Sequence, residues 1–291
     1  MIRTLVAACL GLVALAPLAG PAAAQSDAQP SHCIAIADAA PGIEYLHKAS
    51  WQAPVPRYSV RLHYITHASF LIRTEEGLNA VTDFTGYIGN TTMIPDVVTM
   101  NHAHSSHWTA HPDPAIPHVL QGWGEDFGTG IDHHVRIGDM TVRNVSTDIR
   151  SGFGNREESG NSIFVFETAG LCIVHLGHLH HEPNEQQYAA LGRADVLMVP
   201  VDGGYTMPRG NMIEVVERLK APIVIPMHWF STYALEDFLD GVSEIWAVER
   251  VGGPTLEVSL ADLPDRRTVM VLEPGWLTDA AADEAPATPS D

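Results

Sequence analysis

Five histidines follow short apolar runs of this sequence, and their side chains are of the kind that binds metal ions. Three of them lie in the stretch MNHAHSSHWTAH after the apolar run 96–100, and the others follow the runs 171–176 and 223–227. These histidines are His102, His104, His107, His178 and His228. Short apolar runs of this kind indicate buried strands, and strand ends are where folds with central sheets place their chemistry. Neutral imidazole suits Zn²⁺, and three protein ligands with one open position form a catalytic metal site. The pattern therefore predicts a metal centre.

The rest of the chain alternates strand and helix signals that would position these histidines. Hairpins are predicted over 69–82 and 162–176, each around a glycine turn, and another buried strand over 196–201. Three helices follow: one capped by Asn184 and stopping at Gly192, one over 212–219 that ends before Pro222, and one over 235–241. Hairpins mixed with helices predict a layered α/β or α+β body with sheets in the middle.

The first residues have the pattern of an export signal. Arg3 precedes the apolar run 5–18, and the small residues 22–24 fit a cleavage site, so residues 1–24 are predicted to be a signal peptide and the protein periplasmic or secreted. The chain has a net charge of −19. Such a charge disfavours nucleic acid and anionic membrane surfaces as partners and leaves a small-molecule substrate.

The remaining chain divides into three predicted parts. Residues 25–56 are expected to form an irregular N-terminal wrap, residues 57–279 the main domain, and residues 280–291 a disordered tail. Two cysteines lie outside the signal peptide, Cys33 and Cys172. In an oxidising compartment they would pair and tie the wrap to the main domain.

Several motifs resemble those of the metallo-β-lactamase superfamily. HAHSSH is similar to its HxHxDH signature, and THASFLI followed by AVTD is similar to its N-terminal hairpin. The segments IVHLGHLHHEPNEQQYAALGRADVLMVPVDGGYTM and IVIPMHW resemble the branch that includes ascorbate-6-phosphate lactonase-like hydrolases. The resemblance spans roughly 64–230 and implies a four-layer αββα sandwich with a metal site at one edge of two packed sheets.

The resemblance also implies roles for individual residues, with departures from the family's pattern. The family's ligand positions are matched by four histidines: His102, His104, His107 and His228. Ser106 stands where the family has a metal-binding Asp, Thr147 where it has a further His, and His178 where an Asp bridges two metal ions. Asp83 matches an acid that steadies the ligand loop, and His67, near a strand end, is expected to orient a ligand.

The ligands predicted in this way are all neutral, which favours one metal ion. Two dications about 3.5–4 Å apart need anionic groups to offset their repulsion. The expectation is therefore one Zn²⁺ per chain, or another transition metal. The base lost at position 106 would be replaced by Asp148, Asp202 or His181, and Tyr205 is a hypothetical donor to a developing oxyanion.

Three functions are compatible with this pattern. The first is an exported metal-dependent hydrolase that acts through metal-activated water on an ester, lactone, amide or phosphoester. The alternative is a non-catalytic periplasmic metal- or ligand-binding protein on the same fold, and the third is a metal-free relic. An open coordination position favours the enzyme, whereas a closed shell of histidines favours binding.

Overall fold

The computed structural model describes residues 31–35, 50–102, 104–126, 128–150 and 154–279. The predicted signal peptide, most of the predicted wrap and the predicted tail lie outside these residues. The helices are α1 (His32–Ala35), α2 (Glu185–Leu191), α3 (Arg209–Leu219) and α4 (Thr232–Val242), and a 3₁₀ turn covers Leu260–Asp262. The strands are β1 (Ser59–Thr66), β2 (Ser69–Thr74), β3 (Asn79–Val81), β4 (Gly89–Asn90), β5 (Val97–Met100), β6 (His118–Gln121), β7 (His134–Ile137), β8 (Met140–Arg150), β9 (Arg156–Thr168), β10 (Leu171–His175), β11 (Val196–Pro200), β12 (Ile223–Met227), β13 (Ala247–Arg250), β14 (Thr255–Ser259), β15 (Thr268–Val271) and β16 (Leu277–Thr278).

Two large mixed sheets pack face to face. One has the order β14-β1-β2-β3-β5-β6 and the other the order β13-β15-β12-β11-β10-β9-β8-β7, while β16 pairs with β4. Phe70 from the first sheet and Phe164 from the second share the central core. Because side chains alternate along a strand, Ile163 and Val165 of β9 point the other way, into a core beneath the helices. The sandwich of two packed sheets that the family resemblance implies is confirmed.

The helices that carry apolar faces cover the outer face of the eight-stranded sheet. Tyr188 of α2, Val215 of α3 and Phe238 of α4 are buried there. The outer face of the six-stranded sheet is covered instead by loop side chains, with Trp51 and Phe84 among them. No helix in the described part of the chain is long and apolar enough to cross a membrane.

The local signals place most element ends correctly. Asn184 caps α2 through a capping box with Gln187, and the backbone N–H of Gly192 closes its C-terminal end. One predicted end is wrong: Gly241 lies inside α4, not after it. A Cβ at this position would lie 2.8 Å from Ile213 Cδ1, so the glycine allows α3 and α4 to approach closely.

The N-terminal segment is attached to the sandwich at two described points. Cys33 of α1 and Cys172 of β10 form the expected disulfide, with their Cα atoms 5.8 Å apart. Trp51 donates its indole N–H to the carbonyl of Thr278 at 2.9 Å, and Arg61 donates to the carbonyl of Pro54 at 3.0 Å. A covalent link and polar anchors thus hold the described residues of this segment against the sandwich.

Candidate metal centre

The histidine-bearing loops meet at one edge of the sandwich. His67 lies in the turn between β1 and β2, His107 in the loop after β5, His178 just after β10 and His228 directly after β12. The strands β10, β11 and β12 are parallel neighbours, so their carboxyl ends lie side by side. The fold therefore collects imidazoles from both sheets in one place.

Five imidazoles form two overlapping groups that share His107. The ligand nitrogens of His67, His107 and His228 lie within 4.8 Å of one another, as do those of His104, His107 and His178. The ring centroids of His107 and His178 are 4.7 Å apart, and those of His67 and His228 are 4.0 Å apart. A single ion beside His107 would have donors of both groups within reach.

Two buried carboxylates fix the orientation of the central pair of rings. Asp83 Oδ2 lies 2.6 Å from His107 Nδ1, and Asp202 Oδ1 lies 2.9 Å from His228 Nδ1. A carboxylate only accepts hydrogen bonds, so each Nδ1 carries a hydrogen, and in the neutral ring each Nε2 therefore keeps its lone pair. The two Nε2 atoms face each other at 3.2 Å.

This contact between two acceptors fits a shared metal ion. Two lone pairs that face each other repel unless a cation lies between or beside them. Nitrogens bound to one tetrahedral Zn²⁺ at about 2.0–2.1 Å lie about 3.3–3.4 Å apart, close to the separation of the two Nε2 atoms. A histidine whose second nitrogen is held by a carboxylate is also the usual form of a metal ligand.

Asp83 is held in place by its own backbone and by a neighbouring amide. It lies in the left-handed region with φ of 41°, is fully buried and accepts a hydrogen bond from Asn101 Nδ2 at 2.9 Å. Burial raises the pKa of its carboxyl to about 6, against the opposing effects of His175 and Asn101. Asn101 also accepts from the backbone N–H of Ser162, which connects the ligand loop to β9.

Asp202 anchors His228 and is not a free base. Its carboxylate accepts from the backbone N–H groups of Gly204 at 2.9 Å and Thr206 at 3.0 Å, and from the Thr206 hydroxyl at 2.6 Å. Burial acts to raise its pKa, but the hydrogen bonds from His228, Thr206 and Gly204 together hold that pKa below the ordinary value. The sequence-based hypothesis of a catalytic Asp202 is therefore replaced by an orienting role.

His178 and His67 supply buried nitrogens without any partner. Both ring nitrogens of His178 and Nε2 of His67 lack a hydrogen bond. Burial, followed by the neighbouring histidines, lowers the pKa of His178 far below its ordinary value and that of His67 to about 3, so both rings are neutral. A buried polar atom left unpaired costs about 1–3 kcal/mol. A bound cation would satisfy these atoms, and the donor set thus fits a metal.

The backbone around His178 is shaped to present its ring. Gly177 has φ of 60°, and the His178 N–H donates to Asn161 Oδ1 at 2.7 Å. Thr147, which stands where the family has a ligand histidine, is buried and accepts from Asn161 Nδ2 at 2.9 Å. Thr147 thus acts on His178 through Asn161.

His104 stands on the solvent side of the cluster. It is exposed, and its ring centroid lies 4.5 Å from that of His178 and 5.1 Å from that of His107. Ser106 Oγ lies 2.9 Å from His104 Nδ1, so this serine orients a histidine where the family's acid would bind metal. The partial burial of its ring against the cluster, followed by the effect of His228, lowers the pKa of His104.

His102 differs most from the sequence-based prediction, which put it among the ligands. Its side chain is 41% exposed, its Nδ1 is 3.4 Å from the Glu157 carboxylate, and its ring faces Trp123 at 5.2 Å. The two-residue spacing from His104 aims both rings the same way only in a strand, and β5 ends at Met100. His102 therefore points away from the metal centre.

The other three residues proposed for catalysis lie outside the cluster. Asp148 pairs with Arg156 and accepts from the Ser159 N–H at 2.9 Å, so it is a structural carboxylate. His181 lies beyond His180, with ring centroids 6.4 Å apart, and its Nε2 has no partner. Tyr205 is 67% exposed and lies outside both imidazole groups.

His180, the nearest remaining histidine, has both nitrogens occupied. Its Nδ1 accepts from the Arg150 N–H at 2.7 Å and its Nε2 donates to the carbonyl of Tyr205 at 2.7 Å. Its ring lies 4.7 Å from that of His178. The hydrogen bonds thus show which histidines keep a free lone pair for a metal and which do not. Sequence spacing does not reveal this difference.

Comparison with known proteins agrees with this geometry. A family model described as the beta-lactamase superfamily domain matches residues 61–228, more than half of the chain. The chain belongs to the metallo-β-lactamase superfamily. The chain is 23% identical over 148 residues to a UPF0173 metal-dependent hydrolase of Thermoplasma volcanium, a match that covers 46% of this chain and 66% of that protein. It is 24% identical over 200 residues to a UPF0173 metal-dependent hydrolase of Methanosphaerula palustris, covering 61% of this chain and 85% of that protein.

A solved structure supports the same superfamily assignment. A protein of Thermotoga maritima, described as a candidate Zn-dependent hydrolase of the metallo-β-lactamase superfamily, aligns with a TM-score of 0.53 at 26% identity. The alignment covers 73% of this chain and 98% of that one. The chain spans just under two thirds of the length of the Thermoplasma volcanium relative, so the activity of that whole protein is not transferred by the match alone.

Proposed function

We propose that this protein is an exported metal-dependent hydrolase with one Zn²⁺ per chain that cleaves an ester, lactone, amide or phosphoester of a small molecule. The observation that carries the proposal is the pair of carboxylate-anchored imidazoles, His107 and His228, whose acceptor nitrogens face each other at 3.2 Å. The names of the relatives, which are metal-dependent hydrolases, support the same reaction class.

The proposed ligands are the histidines whose nitrogens the fold leaves available. His107 and His228 bind through Nε2, and an unpartnered nitrogen of His67 or His178 completes three protein donors and leaves one coordination position open. All of these donors are neutral imidazoles. Because no carboxylate of the described residues bridges these rings, one ion is favoured over a pair of dications that would repel each other.

A bound divalent ion would supply a Lewis acid and lower the pKa of a water molecule. The chain itself supplies a proton acceptor. His104 stands on the exposed side of the cluster, and its contact with Ser106 fixes its ring. With Nδ1–H donating to Ser106 Oγ, Nε2 of His104 keeps its lone pair, and because the lowered pKa keeps the ring neutral at pH 7, Nε2 accepts a proton from water at this position. In this account, His104 and Ser106 together replace the missing acid of the family signature.

Export is part of the proposal. The N-terminal signal pattern predicts it, and the disulfide between Cys33 and Cys172 is of the kind that persists in oxidising compartments.

A non-catalytic metal-binding protein is the second candidate, and one observation favours it. Both carboxylates considered as replacements for the missing base already have partners: Asp202 is held by His228 and by the loop that follows it, and Asp148 pairs with Arg156. A centre with only imidazole donors and no free carboxylate is able to bind a metal ion without catalysing hydrolysis.

One experiment separates the candidates. Protein purified without a metal-binding tag is analysed for metal content and tested for turnover on a panel of p-nitrophenyl esters, lactones, amides and phosphoesters, with and without a chelator. The hydrolase predicts one equivalent of metal and chelator-sensitive turnover, and His104→Gln should keep the metal but lose most of the turnover. One equivalent without any turnover would assign the binding function, and a folded protein that refuses Zn²⁺ would overturn both.

A further inference from the structure

An apolar cavity opens directly beside the metal centre. It has a volume of about 360 Å³ and is lined by Asp202, Gly204, Tyr205, Phe230, Ser231 and Ala234. The ring of Phe230 lies 5.0 Å from that of His228 and 5.2 Å from that of His67. The cavity and the imidazole cluster thus share one wall.

Two exposed aromatic side chains form the mouth of this cavity. Phe230 is 58% exposed and Tyr205 is 67% exposed, and their rings lie 5.2 Å apart at an angle of 67°. Aromatic rings left in water next to a polar site mark places where apolar groups bind. Because the two rings come from different loops, the fold has brought them together at this edge.

The charged groups near the cavity are turned away from it. The carboxylate of Asp202 is 2% exposed and faces His228 and the backbone N–H groups of its own loop. Arg150 donates to the carbonyls of Gly204 and Thr206, behind the loop that carries Tyr205. Among the described residues, the cavity therefore offers neither a cation nor an available anion to a ligand.

We propose that this cavity binds a neutral, apolar group of the substrate, an aromatic ring or a medium-length acyl chain, and places the bond to be cleaved at the imidazole cluster. The inference rests on the proposed hydrolase function and narrows its substrate class. A cavity of about 150 Å³ accommodates benzene, so this one, with more than twice that volume, accommodates a ring with a short chain. Phe230 and Tyr205 are then residues that determine specificity.

The first arm of the test measures binding without catalysis. The neutral dye N-phenyl-1-naphthylamine is titrated into metal-free protein and its fluorescence recorded. Ala234→Leu, which fills the cavity from α4 with a good helix former, and Phe230→Ala, which removes a wall, should weaken binding about tenfold. Tyr233→Ala is the matched control, since this residue is 79% exposed on the same helix and does not line the cavity. Circular dichroism checks that each variant is folded.

The second arm measures substrate preference in the metal-loaded protein. Across p-nitrophenyl acetate, butyrate and hexanoate, kcat/KM should rise by up to about fourfold per methylene, and p-nitrophenyl phenylacetate tests an aromatic group. The rise should flatten in Ala234→Leu and persist in Tyr233→Ala. Dye binding and chain-length preference that Ala234→Leu leaves unchanged would overturn the inference. Dye binding lost in Ala234→Leu without turnover of any ester would support the cavity and refute the hydrolase.

Discussion

Replacing Asp83 by Asn should weaken metal binding although it changes only one atom. Asp83 receives two hydrogen bonds, at 2.6 Å from His107 Nδ1 and at 2.9 Å from Asn101 Nδ2. An amide has one oxygen for these two donors. If the amide oxygen still accepts the hydrogen bond from Asn101, the new NH₂ group faces His107 Nδ1. The hydrogen of the imidazole then moves to Nε2, which has no lone pair left for a metal. If the oxygen turns to His107, two NH₂ groups face each other in a buried site.

The expected loss of Zn²⁺ affinity follows from the role of a carboxylate that orients a ligand histidine. Loss of the group that orients a ligand histidine costs about 10–100-fold in metal affinity, which corresponds to about 1.4–2.7 kcal/mol. The assay is competition for Zn²⁺ against a fluorescent chelator of known affinity at pH 7.5. Asp148→Asn is the control, because that carboxylate pairs with Arg156 and contacts none of the proposed ligands. If folded Asp83→Asn protein binds Zn²⁺ as tightly as the unchanged protein, the anchoring of His107 is not what holds the metal.

Three further predictions concern the backbone, pH and the disulfide. Gly177→Ala should abolish metal binding, because φ is +60° at this position and a Cβ would lie 2.5 Å from Asn101 Nδ2. Gly210→Ala is the control and should leave the Zn²⁺ affinity unchanged, because a Cβ there would have no atom within 4 Å. A normal Zn²⁺ affinity of the Gly177→Ala protein would refute the prediction. Burial lowers the pKa of His180 from 6.5 to about 4, so its contribution to the stability of the metal-free protein is complete above about pH 6.5 and is lost as the pH falls towards 4. Urea midpoints should therefore fall over that window, and an equally steep fall in His180→Gln would contradict the assignment. Reduction of the disulfide, whose cysteines are 139 residues apart, should lower the free energy of unfolding by about 2–5 kcal/mol in a denaturant titration, and an unchanged midpoint would show that it constrains little.

The layered body and the strand ends could be predicted because they follow from local patterns, and the family resemblance added the sandwich of two packed sheets. Short apolar runs give buried strands such as β11 and β12, and the capping residue Asn184 marks where α2 begins. His107, His178 and His228 each follow such a run, so their convergence follows from the topology. Local signals of this kind do not depend on the rest of the chain.

The details of the site could not be predicted because they depend on long-range pairing and on backbone turns. Neither spacing nor periodicity indicates that Asp83 meets His107 or that Asp202 meets His228, pairs separated by 24 and 26 residues. Only the family resemblance assigns Asp83 to the ligand loop. His67 acquires a buried, unpartnered nitrogen in a turn with φ of 49°, a conformation that strand or helix periodicity does not reveal.

The prediction for His102 failed for a related reason, and the apolar cavity was also missed. The chain leaves the strand direction after β5, so the alternation that would pair His102 with His104 ends there. The cavity depends on Phe230 and Tyr205 lying side by side, although they belong to different loops. Both features arise only once the strands are assembled.

The most direct test of the central claim is an anomalous difference map, recorded at the zinc edge, from crystals of Zn²⁺-loaded protein. The account predicts one peak per chain, about 2.0–2.1 Å from Nε2 of both His107 and His228. Two peaks about 3.5–4 Å apart, or a single peak that touches neither atom, would contradict it.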